Sequence, residues 1–123
     1  MPRRGFSGGG SNVKATYVAV DSTRAITTAE CRGQTLLISG AYTPTLPAAE
    51  VGNHGIAEAT TAAAFSLDVA VGTDIIELNG TTLTAGYKIT SDGTKRARVH
   101  FKCQVAGTYI ITSLKGVFVD GGA

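Results

Sequence analysis

The chain has 123 residues, a length that suits one domain able to bury a sizeable core. It contains 16 glycines and only 16% charged residues, a composition that favours short strands and tight turns over long helices. Its net charge of +2 is too small to indicate nucleic-acid binding by itself, and no stretch approaches the ~18 apolar residues of a membrane span.

The N-terminus predicts a flexible arm over residues 1–13, followed by a single β-sandwich domain over 14–123. The arm is rich in glycine and serine, which bury too little apolar surface to offset the entropy lost on ordering. It either frays or docks on a neighbouring subunit through Arg3, Arg4 and Phe6. It lacks the apolar stretch of a secretion signal, so we expect a protein made in a cytosol and not exported by a classical route.

From residue 14 onward the chain reads as a series of short strand-like segments. Segment 25–30 is either a short strand or the lead into a loop. Segment 43–55 is expected to be irregular, because Pro44 and Pro47 exclude a central strand. Segment 56–64 is expected to form a short helix, because alanine and glutamate favour one. The remaining strands are expected at 14–20, 34–42, 65–71, 73–78, 81–85, 87–90, 96–105, 108–114 and 117–119.

The turn signals favour hairpins. Asn79-Gly80 between apolar runs is a strong signal for a tight turn, and Ala106-Gly107 breaks the pattern between two of the longer strands. About eight to ten short strands, which begin roughly 8–12 residues apart, predict an all-β fold. We expect an antiparallel sandwich of the jelly-roll or immunoglobulin-like type.

The segment Arg96–Val105 has the most regular pattern in the chain. Its period of two predicts a half-buried strand, with a basic face opposite an apolar one. The faces are Arg96, Arg98, His100, Lys102 and Gln104 on one side and Ala97, Val99, Phe101, Cys103 and Val105 on the other.

The basic face is either a solvated surface or a docking surface. Arg96, Arg98 and Lys102 are the candidate docking residues, for an acidic protein partner or for phosphates. Nucleic acid is the less favoured partner, because Phe101 points to the opposite face and binders of single strands usually place aromatic and basic side chains together.

The few reactive side chains form no recognisable catalytic or metal-binding motif. Cys31 and Cys103 predict either two free buried thiols or one disulfide, with free thiols favoured. His100 and Cys103 are three residues apart, so on a strand they point to opposite faces and cannot bind one ion. Neither His54 nor His100 pairs with a cysteine in a known motif. We therefore expect no catalytic residues, no metal and no cofactor.

The run Phe101–Ile111 (FKCQVAGTYII) resembles a hairpin of complement-type globular heads and their tumour-necrosis-factor-like relatives. Its AGTY string is similar to strings in phage head and tail β-sandwiches. In general character the chain resembles a small phage virion protein, a capsid decoration (cement) protein. The resemblance implies a homo-oligomer, a trimer being favoured, that binds the major capsid protein or other virion subunits in the virion, without catalysis. The alternatives are a recognition module, such as a fibre or a receptor- or glycan-binding head, and a coat protein that encloses nucleic acid.

Overall fold

A computed structural model describes residues 16–123, in which eleven strands form two sheets. The strands are β1 (Tyr17–Val20), β2 (Arg32–Ile38), β3 (Thr45–Leu46), β4 (His54–Ala59), β5 (Ser66–Val69), β6 (Ile75–Leu78), β7 (Thr81–Thr82), β8 (Lys88–Ser91), β9 (Arg98–Val105), β10 (Thr108–Lys115) and β11 (Phe118–Gly122). The seven-stranded sheet has the order β1-β2-β4-β9-β10-β6-β7, and the four-stranded sheet has the order β11-β8-β5-β3. The all-β prediction is confirmed for this part of the chain, which has a single 3₁₀ turn (Thr28–Glu30) as its helical element.

Both sheets contribute side chains to one hydrophobic core. Leu36, Val99 and Ile111 of the larger sheet and Leu67 and Ile89 of the smaller sheet are all fully buried. Two sheets that share a core in this way are consistent with a β-sandwich. Within residues 16–123, no helix is long and apolar enough to cross a membrane.

The expectation of purely antiparallel sheets is wrong. Both sheets are mixed, because the pairs β1/β2, β2/β4, β6/β10 and β3/β5 run parallel. Parallel neighbours require a crossover connection. The chain provides one between β2 and β4, where it leaves the larger sheet to form β3 in the smaller sheet.

The predicted helix over 56–64 is also wrong, because this segment begins within β4. The strand buries Gly55, Ala57 and Ala59 in alternation and lies between β2 and β9. Hydrogen bonding to two neighbouring strands outweighs the weak helix preference of alanine and glutamate.

Several local predictions are confirmed. The Asn79-Gly80 turn joins β6 to β7 with φ of 49° and 87°, as the tightest hairpin turns require. Pro44 and Pro47 exclude a central strand as expected, but segment 43–55 is not irregular throughout, because it contains β3, an edge strand of the smaller sheet, and the start of β4. The last strand is longer than expected, because β11 continues to Gly122, three residues beyond the predicted strand over 117–119.

An ion pair closes the connection between β1 and β2. Arg24 donates from Nη1 and Nη2 to the two carboxylate oxygens of Glu30, each at 3.0 Å. Glu30 also accepts from the backbone N–H of Thr27, whose Oγ1 accepts from the N–H of Glu30. The bond from Arg24 and those from Thr27 outweigh the effect of burial and lower the pKa of Glu30 to about 2.

We expect the contribution of Glu30 to stability to disappear in acid. Because its pKa in the folded protein lies below the ordinary value of 4.5, the contribution is complete above pH 4.5 and is lost as pH falls towards 2. Glu30→Gln should reduce the free energy of unfolding by about 1 kcal/mol at neutral pH, since the pair is partly exposed. Denaturant unfolding across this pH range should show the difference from the unmodified protein shrinking, while the exposed Glu50→Gln control shows no such trend. A difference that is constant with pH would contradict the prediction.

Candidate docking surface

The outer face of the seven-stranded sheet carries the side chains that alternate with the core. Its middle strands present half-buried or exposed side chains in paired rows. We define the outer face by Thr35 and Leu37 of β2, His54, Ile56 and Glu58 of β4, Arg98, His100 and Lys102 of β9, and Ile110 and Thr112 of β10.

The structure separates the three basic residues that the sequence placed on one strand. Arg98 and Lys102 lie on the outer face, two rows apart on β9. Arg96 precedes β9 in a turn with a φ of 66°, so its assignment to the strand is wrong. Its Nη1 donates to Glu58 Oε2 at 3.1 Å, and this carboxylate draws it towards β4. In the part of the chain described, neither Arg98 nor Lys102 forms an ion pair.

The apolar face of β9 is confirmed at all but its last position. Ala97, Val99, Phe101 and Cys103 are buried, whereas Val105 is 64% exposed. The pairing of β9 with β10 shifts register near this end, and the alternation stops there. The other candidate docking residues, Arg3, Arg4 and Phe6, lie outside the described residues.

A shallow, open depression of about 350 Å³ lies where β4 meets β9, and its lining consists of Gly52, Asn53, His54, His100, Lys102 and Cys103. The sequence placed Asn53 and His54 in the segment that was expected to be irregular. His54 is directly opposite Lys102 in the pairing of β4 with β9. This contact depends on a long-range register that no local pattern in the sequence reveals.

The two histidines of the depression differ in their surroundings. His54 Nδ1 lies 3.0 Å from the carbonyl oxygen of Gly52, so the neutral ring carries its proton on Nδ1 and donates it there. The pKa of His100 is lowered from its ordinary value, first by burial and then by the positive charges of Lys102 and His54. His100 is therefore neutral at pH 7.

A buried polar network holds the loop beneath the depression. Tyr109 donates its hydroxyl proton to the carbonyl of Pro47 at 2.7 Å and accepts from Asn53 Nδ2 at 3.2 Å. Asn53 Nδ2 also donates to the carbonyl of Ala48. Asp74 is buried on the other side of this loop, where one of its carboxylate oxygens accepts a backbone N–H at 2.9 Å. These bonds fix the backbone that positions His54.

Both cysteines are free and buried. Burial, with a smaller effect of Glu30, raises the pKa of Cys31 to about 11. Burial also raises the pKa of Cys103. A thiol with a raised pKa is a weak nucleophile at neutral pH. Among residues 16–123, no three His, Cys, Asp or Glu side chains are grouped so that they could hold a metal ion.

Comparison with known proteins adds no family assignment. No family model matches the sequence, and a search of curated proteins finds no match. The resemblance to phage cement proteins therefore stays a prediction.

Proposed function

We propose that this protein is a structural virion subunit, a capsid decoration (cement) protein that binds the major capsid protein or other virion subunits without catalysis. The observation that supports this role is the composition of the outer face. Leu37 shares a row with Glu58 and Arg98. Ile56 is opposite His100, and Ile110 is opposite Lys102. All three aliphatic side chains are partly exposed. Interfaces between separately folded proteins commonly combine an aliphatic centre with charged neighbours.

In this proposal the sandwich, of the jelly-roll or immunoglobulin-like type, is a rigid body that spans adjacent shell subunits. Several copies, with a trimer favoured, bind together through the same face. Arg3, Arg4 and Phe6 add contacts to a neighbouring subunit. A protein that binds only the assembled shell stabilises it by mass action, because disassembly must release every bound copy.

The first test of this role is the composition of the virion. Mass spectrometry of particles purified from the source of this chain should find it in a fixed ratio to the major shell subunit. Shells stripped of the protein should rebind it and resist heat better when it is bound. Absence of the chain from purified particles would overturn the proposal.

Substitutions on the outer face test whether this face is the surface that binds the shell. Arg98→Glu should reduce shell occupancy by about ten-fold, because reversing a charge in an interface adds repulsion to the lost attraction. Removing residues 1–12 should also reduce occupancy while the domain stays folded. Lys95→Glu makes the same charge change at an exposed position before β9 and should leave occupancy unchanged. Equal occupancy of the Arg98 variant and the unmodified protein would remove the outer face from the proposal.

A further inference from the structure

We infer that the depression between β4 and β9 binds carboxylate side chains of an acidic protein segment, and that it binds them more tightly as His100 becomes protonated. Lys102 and both histidines line the depression, and no aspartate or glutamate does. The inference rests on the proposed use of the outer face for docking and names the chemistry of the partner at that face.

The strand pairing brings the basic groups together. His54 is directly opposite Lys102, and His100 is diagonal to His54 and two residues from Lys102 on the same face. Arg32 on β2 is the register partner of His54. Arg32 lies where the register of β2 against β4 shifts, and it does not line the depression. His100 and Lys102 are two residues apart on β9, which separates them by about 7 Å along the strand. An extended segment with acidic residues at alternate positions presents carboxylates on one side at a comparable spacing.

The charges around His100 explain why binding should depend on pH. Arg98 and Lys102 flank it on its own strand, and His54 and Glu58 are its diagonal neighbours on β4. The outward positions of β10 beside it carry no charge. Without a ligand, burial and its positive neighbours Lys102 and His54 keep its pKa low. A bound carboxylate would offset this repulsion and raise the pKa, so binding takes up protons and strengthens as the pH falls.

The rest of the outer face favours an acidic protein over a nucleic acid. Glu77 is opposite Ile110 in the row that contains Lys102, and Glu58 is four residues from His54 on β4. Both glutamates lie on the outer face and would repel a continuous phosphate backbone. Ile56 and Ile110 offer half-exposed aliphatic surface next to the depression. Among residues 16–123, no Phe, Tyr or Trp side chain lines the depression, so this part of the chain provides no platform for stacked bases there.

The test measures binding of simple probes to the full chain by amide NMR shifts. The probes are a hexaglutamate peptide, inorganic phosphate and a single-stranded oligonucleotide of matched charge. We expect the peptide to move signals of residues 52–54 and 100–103. We also expect it to bind about five-fold tighter at about pH 5.5 than at about pH 7.5, because the pKa of His100, which lies below the ordinary histidine value in the free protein, rises when a carboxylate binds.

Substitutions assign the effects to particular side chains. Lys102→Gln should weaken peptide binding about three-fold at both pH values, since one exposed charge pair contributes modestly. His100→Gln should reduce the pH dependence while the fold, checked by circular dichroism, is unchanged. Lys95→Gln is the matched control, because it removes a lysine charge outside the depression and should have no effect.

Three results would overturn the inference: no peptide binding at either pH, equal losses for Lys95→Gln and Lys102→Gln, or tighter binding of phosphate or the oligonucleotide than of the peptide. The proposed virion role is overturned by different results from those that overturn the carboxylate site. Shell occupancy that persists without peptide binding overturns only the carboxylate site, whereas peptide binding by a chain absent from virions overturns only the virion role.

Discussion

Replacing Gly55 with alanine is expected to lower the free energy of unfolding by about 2–3 kcal/mol, because β4 has no room for a side chain there. A Cβ at Gly55 would lie 2.7 Å from the backbone carbonyl oxygen of Gln34 on β2 and 2.9 Å from Cζ of Phe101 on β9. Both neighbours belong to the middle of the seven-stranded sheet. Relief therefore requires the strands to move apart or the ring of Phe101 to leave its position in the core.

The matched control for this substitution is Gly72→Ala. No atom lies within 4 Å of a Cβ built at Gly72, so we expect its effect to stay within about 0.5 kcal/mol. Urea unfolding of the two variants measures the difference. Equal stability of the Gly55 and Gly72 variants would show that the middle of the sheet adapts to the extra methyl group at no cost.

A double substitution identifies which contact matters. Phe101→Leu is destabilising alone, because it removes a buried ring. Combined with Gly55→Ala, it should cost less than the sum of the two single changes, because the shorter side chain frees the space that the new methyl group needs. The backbone oxygen of Gln34 stays in place, so the relief should be partial. If the two changes in the free energy of unfolding are strictly additive, the methyl group added at position 55 clashes only with the backbone oxygen of Gln34.

Tyr109→Phe is expected to lower the free energy of unfolding by about 2 kcal/mol, although it removes a single oxygen atom. The hydroxyl serves both the carbonyl of Pro47 and the amide of Asn53 in a buried setting. Without it, one acceptor and one donor lose a partner away from water, and each such loss costs about 1–3 kcal/mol before relaxation. The aromatic ring itself keeps its edge-to-face contact with Phe101 at 6.1 Å.

Two measurements separate this effect from a general loss of packing. Denaturant unfolding gives the change in stability. The NMR signals of the loop up to His54 report whether the loop has become mobile. Tyr42→Phe is the matched control, because the Tyr42 hydroxyl takes part in no hydrogen bond identified among residues 16–123, and its effect should be below about 0.5 kcal/mol. A Tyr109 variant as stable as the Tyr42 variant would contradict the role given to the network.

Local patterns in the sequence were sufficient for part of the fold. The buried positions Val99, Phe101 and Cys103 follow from the period of two, because a strand with one face on a core must alternate. The Asn79-Gly80 turn follows from its chemistry, since few residues other than asparagine and glycine adopt the left-handed backbone that such a turn needs. The prolines at 44 and 47 exclude a central strand there, but they do not reveal that the residues between them form the edge strand β3.

The candidate docking surface was only partly predictable. The pattern placed Arg98 and Lys102 on a common outward face, as the structure does. It also placed Arg96 on the strand, which is wrong, because Arg96 lies in the turn before β9 with a φ of 66°. Its side chain reaches Glu58 from that turn. The pattern left His54 in a segment expected to be irregular, although the register of β4 against β9 makes it the partner of Lys102.

The sequence by itself therefore determined the class of fold, the hairpin turns and the buried face of β9, all of which depend on neighbours in the chain. Only the tertiary structure decided the directions of the strands, the strand β4 in place of a helix, and the depression that contains His54, His100 and Lys102. Side chains alternate in the same way in parallel and antiparallel strands, so alternation carries no information about direction. Register across β2, β4 and β9 is set by long-range packing, such as that of Phe101 against the bare backbone of Gly55.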